Sequence, residues 1–88
     1  MVSENKLSYE AQKELNMKIK KLEKQVADCE LRIEKKESEI ADLEAQMATP
    51  EGASDMKLYE KHAQLKKELD DIVEEWEMVS MELEELKG

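Results

Sequence analysis

Glycine, proline and aromatic residues are scarce in this sequence, and each scarcity removes a class of structure or chemistry. Its 88 residues include no Phe, one Trp, two Tyr, one Pro and two Gly. Sheet-rich and mixed cores lean on aromatic and β-branched residues, so an aromatic share of 3% argues against one. With only Gly52 and Gly88, no glycine-rich loop can cradle nucleotide phosphates, and nucleotide hydrolysis is not expected in this segment. The single cysteine, Cys29, cannot form an internal disulfide, which fits a reducing compartment. The single histidine, His62, has neither a neighbouring nucleophile nor metal-ligand partners at helical spacing. No run of 18 apolar residues and no signal-peptide core occur, so a soluble, cytoplasmic chain without a membrane partner is expected.

What is abundant is charge in heptads. Charged residues make up 42% of the chain and the net charge is −9, which disfavours a general polyanion binder. Leu15, Ile19, Leu22, Val26, Cys29, Ile33, Lys36, Ile40, Leu43 and Met47 follow one another in alternating steps of four and three. Leu58, His62, Leu65, Leu69, Ile72, Trp76, Val79, Leu83 and Leu86 do the same. Such a stripe belongs to helices that bury one face against a partner helix. Residues 1–7 read as a linker, with Ser8 as N-cap of a helix over 8–48. Thr49-Pro50-Glu51-Gly52 interrupts the pattern, with room for one short helical turn capped by Thr49. Ser54 or Asp55 then caps a second helix over 55–87, leaving 49–54 as the turn.

A continuous parallel dimer and a hairpin compete for this pattern. If Ile19 is position a, then Met47 and His62 are also a, 15 residues apart, so the seam slips phase at the proline and glycine. A hairpin explains both the slip and the break. Antiparallel pairing sets a against d wherever residue numbers sum to 105, which matches Met47 with Leu58, Ile40 with Leu65 and Cys29 with Trp76. The favoured fold is therefore all-α: a two-helix antiparallel coiled-coil hairpin, monomeric, with a short turn containing Pro50 and Gly52. Residues 13–24 carry five lysines and two acids, while 74–85 carry six acids and no base, and the hairpin lays them side by side. Arg32–Glu75 and Glu37–Lys66 can pair across it, Lys36 can reach Glu68, and Glu39 faces Glu68 unfavourably. Residues 8–16 extend past the end of the second helix.

No constellation for catalysis is present, and no cofactor or metal is expected to bind. Acid pairs such as Glu74-Glu75 read as solvated faces, and Cys29 reads as a small seam hydrophobe. One surface stands out. Lys13, Lys20, Lys21 and Lys24 occupy outward positions of the first helix, with Lys18 flanking the seam and Lys6 preceding it. That stripe can touch three or four phosphates in a weak, salt-sensitive, sequence-independent way. The plainer reading is that these lysines solvate the helix and offset the acids beside them. Met17, Leu31, Met78 and Met81 are apolar at outward positions, which is common on protein surfaces.

The opening Lys6-Leu7-Ser8-Tyr9-Glu10, followed by Gln12-Lys13-Glu14-Leu15, resembles the start of the C-terminal coiled-coil domain of ABC-F ATPases, the soluble twin-cassette branch of the ABC superfamily. The break at Met47-Ala48-Thr49-Pro50 and the late Glu75-Trp76-Glu77 agree, so the resemblance covers roughly residues 5–86. Where many relatives carry a proline after the opening Glu-Leu, this chain has Asn16-Met17. The resemblance implies the tail of a larger cytoplasmic protein, with ATP and magnesium bound only by upstream ATPase domains. It further implies a non-catalytic arm near ribosomes or nucleic acid, since some members are regarded as binding DNA through this hairpin. By position, Lys6, Lys13, Lys18, Lys20, Lys21 and Lys24 carry that implication.

Overall fold

The computed structural model describes the backbone of residues 2–88 and the side chains of residues 9–88. Helix α1 spans Val2–Met47, a short α2 spans Pro50–Ala53, and α3 spans Met56–Lys87. No strand occurs among the described residues. The two long helices pack along each other into a rod of 76 × 16 × 14 Å. This is the antiparallel hairpin that the phase slip predicts.

The heptads decide which atoms leave water. In both long helices every seam residue from Leu15 to Met47 and from Leu58 to Leu86 is buried or half-buried. Ile40, Leu43 and Leu65 form a core against which Met47, Leu58 and Leu69 pack. Ile40 with Leu65 and Met47 with Leu58 are pairs whose numbers sum to 105, so the register is the expected one. Burying an Ile or Leu side chain contributes roughly 1.5–3 kcal/mol, and only one stripe per helix is available to do it.

Polar side chains at the seam edges fix the same register. Lys36 stands on the seam and sends its ammonium to Glu68 Oε2 at 2.6 Å and to Glu39 Oε2 at 3.8 Å. Glu39 and Glu68, expected to repel, therefore share one cation. Arg32 Nη1 lies 3.4 Å from Glu75 Oε2, as expected. Glu37 and Lys66 make no ion pair, whereas Lys87 reaches Glu23 at 3.2 Å. Exposed pairs of this kind contribute about 0–1 kcal/mol each, so they select the register more than they hold it.

The first helix starts earlier than expected. Positions 2–7, read as linker, are helical from Val2 onward, and Ser8 lies inside α1 rather than at its cap. The reason is local: no Gly or Pro occurs before Pro50, so nothing in the sequence interrupts helical hydrogen bonding there. The Asn16-Met17 step is likewise continuous helix.

At the opposite end three residues turn the chain around. Thr49 sits in an extended conformation and its Oγ1 accepts from the Gly52 N–H at 3.0 Å, capping α2 with Pro50 in its first turn. The same hydroxyl donates to the Gln46 carbonyl at 2.7 Å, which also accepts from the Thr49 N–H at 3.2 Å at the end of α1. Gly52 is buried, and a Cβ there would overlap the Gln46 carbonyl. Its smallness allows the close approach; no positive φ is involved. Asp55 caps α3 by accepting from the Lys57 N–H at 3.0 Å, and Tyr59 Oη donates to the Ala53 carbonyl at 3.0 Å.

Candidate nucleic-acid interface

Helical geometry divides the lysines of α1 into two groups. Residues seven or four apart stack on one ridge, which places Lys13, Lys20 and Lys24 in a line on the face away from the seam. Lys13 and Lys20 border a shallow surface groove with Tyr9, Gln12, Asn16 and Met17. Lys18 and Lys21 turn instead toward α3, where they line a groove with Leu22, Gln25, Glu82, Glu85 and Leu86. All five side chains are exposed, and none makes an ion pair within 4.0 Å among the described residues. The side chain of Lys6 lies outside the described ones. The structure thus brings three of the expected lysines together on one ridge and sets two against the acids of α3.

The apolar companions of that ridge were visible in the sequence only as scattered outward residues. Tyr9 is 71% exposed, Met17 64% and Leu31 64%, all on the outer side of α1. On α3 the outward Met78 and Met81 are equally bare, but their neighbours are acids.

Cys29, Lys36 and His62 are the titratable side chains that stand on the seam. Cys29 is buried in the seam, and loss of hydration, with Glu75 nearby, raises the pKa of its thiol and leaves it a poor nucleophile. The hydrogen bond from Lys36 to Glu68 raises the pKa of the ammonium and lowers that of the carboxyl. His62 Nε2 lies 3.9 Å from Glu44 Oε2 without a hydrogen bond. No group of three metal-ligating side chains occurs among the described residues, and no described helix is long and apolar enough to cross a membrane.

A model of the family described as the ABC transporter C-terminal domain matches residues 6–86, nearly the whole chain. The chain belongs to that family. Members are non-catalytic extensions of ABC proteins, and the hairpin fits that place. No curated protein matches the sequence, and neither does any solved structure. In the hairpin Lys13, Lys18, Lys20, Lys21 and Lys24 lie near the end where α1 outruns α3, away from the α2 turn.

Proposed function

We propose that this hairpin is an accessory arm of a cytoplasmic ABC-F-type ATPase and that the ridge of Lys13, Lys20 and Lys24 contacts the phosphate backbone of nucleic acid. It does no chemistry itself; ATP and magnesium belong to the parent's ATPase domains. One observation carries the reading. The five lysines between positions 13 and 24 project into solvent with no acid within 4.0 Å, and Lys13, Lys20 and Lys24 among them share one ridge. Unpaired lysines spaced about one turn or two apart match the requirement of a polyanion, because each contact releases a condensed counterion. Neither base stacking nor groove reading is offered, so the contact is independent of sequence. The acidic balance of the rest of the rod orients it, repelling the backbone from α3 and leaving α1 as the approachable side.

The test is a salt titration of binding to duplex DNA and to an RNA hairpin. Three to four phosphate contacts give a slope of log K against log salt of about −3. Exchanging Lys13, Lys20 and Lys24 for Glu abolishes binding while helicity is retained. Absence of binding by the native chain at low salt refutes the reading and leaves a purely structural spacer.

A further inference from the structure

We propose that the base of the rod, where Lys18 and Lys21 face Glu82 and Glu85, is a self-complementary surface that joins two copies of this chain into a four-helix bundle. The first ground is uneven burial. The buried apolar residues, Cys29, Ile40, Leu43, Leu65 and Ile72, all lie in the middle and turn-proximal parts of the rod. Toward the base, Ile19, Leu22 and Val26 of α1 and Val79, Leu83 and Leu86 of α3 are only half-buried. Their stripe is that of a coiled coil, yet one neighbouring helix covers it incompletely, which is the condition that two-layer bundles relieve.

The second ground is the two-signed groove above that stripe. Lys18, Lys21 and Gln25 form one wall, Glu82 and Glu85 the other, and Leu22 and Leu86 lie between them. Although the walls are of opposite charge, no ion pair closes the groove. A twofold axis parallel to the rod lays α1 of one copy over α3 of the other at the same height and in opposite direction. In the 105 register, positions 18 and 21 are level with 87 and 84, so each lysine arrives within one turn of Glu82 or Glu85 of the second copy. The contact is isologous and closed, with both turns at the same end and every helix antiparallel to its neighbours. The net charge of −9 opposes association elsewhere on the surface, so this patch selects the mode of pairing. The nucleic-acid ridge of Lys13, Lys20 and Lys24 faces away and takes no part.

Sedimentation equilibrium of the 88-residue chain from about 10 µM to about 1 mM, at constant physiological salt, provides the test. The native chain should shift from monomer to dimer mass over that range. K18E/K21E and E82K/E85K should each weaken association at least about tenfold, because like charges then meet across the axis. Mixing the two variants should restore pairing as a heterodimer. That rescue separates lost complementarity from lost folding, which helicity by circular dichroism also monitors. A native chain that stays monomeric throughout overturns the proposal, as do dimers indifferent to either variant and a mixture that fails to pair. None of these outcomes bears on nucleic-acid binding through the outer ridge.

Discussion

The turn-proximal half and the base of the rod are built from the same heptads but held differently. Near the turn, Ile40, Leu43 and Leu65 are buried, Met47, Leu58 and Leu69 close around them, and caps at Thr49 and Asp55 satisfy the exposed helix ends. At the base the same kind of stripe is half covered, and the charges beside it are sorted by helix, mostly lysines on α1 and glutamates on α3. One end therefore holds the hairpin shut while the other presents surface.

Five substitutions probe how far the two ends differ. The largest effect is expected for Gly52→Ala, because the added methyl meets the Gln46 carbonyl rather than a movable side chain. A loss of about 3–4 kcal/mol, read as a collapse of the thermal transition, is the expected outcome. Leu43→Ala should cost about 3 kcal/mol, whereas Leu22→Ala at the half-covered base should cost about 1.5 kcal/mol, both measured by urea melts. Equal costs would show that the two ends are packed alike. Thr49→Ala removes a cap to α2 and a donor to the Gln46 carbonyl, for about 1 kcal/mol.

The smallest effect concerns pH. Bonding to Lys36 lowers the pKa of the Glu68 carboxyl, so its contribution is complete above the unfolded carboxyl range and disappears as pH falls through the lowered folded value. The pKa of the Lys36 ammonium is raised, so its share is complete below the unfolded lysine value and fades only in strong alkali. The native chain should therefore melt above Glu68→Gln at neutral pH, with the gap closing on acidification. A gap that survives at acid pH contradicts the ion-pair account.

Much of this architecture is legible in the sequence because a 3.5-residue apolar period has one physical use, and a one-residue phase slip at a proline has one economical explanation. The Lys36–Glu68 and Arg32–Glu75 pairs follow from register alone. Other features depend on rotamers and close approach, which spacing does not encode. Gly52 reads as a turn former, but its task is to let the chain pass against the Gln46 carbonyl. Lys87 finds Glu23, whereas Glu37 and Lys66 stay apart, since long side chains choose among several reachable partners. The extra helical turns before Ser8 escape notice because a helix without a breaker needs no cap signal to continue. The division of the lysines into an outer ridge and a base groove follows from angle around the helix, although the missing partners of both groups become visible only with the acids in place.

Which surfaces remain free depends on α3 folding back along α1 of its own chain. Spin labels at positions 32 and 75, on a Cys29→Ala background and diluted with unlabelled chain, test this most directly by pulsed dipolar spectroscopy. Packed helix axes lie about 8–10 Å apart, so labels on the native Arg32–Glu75 pair should report separations near about 10–25 Å. A distribution centred near about 65 Å, the span of a continuous helix between those positions, would contradict the account.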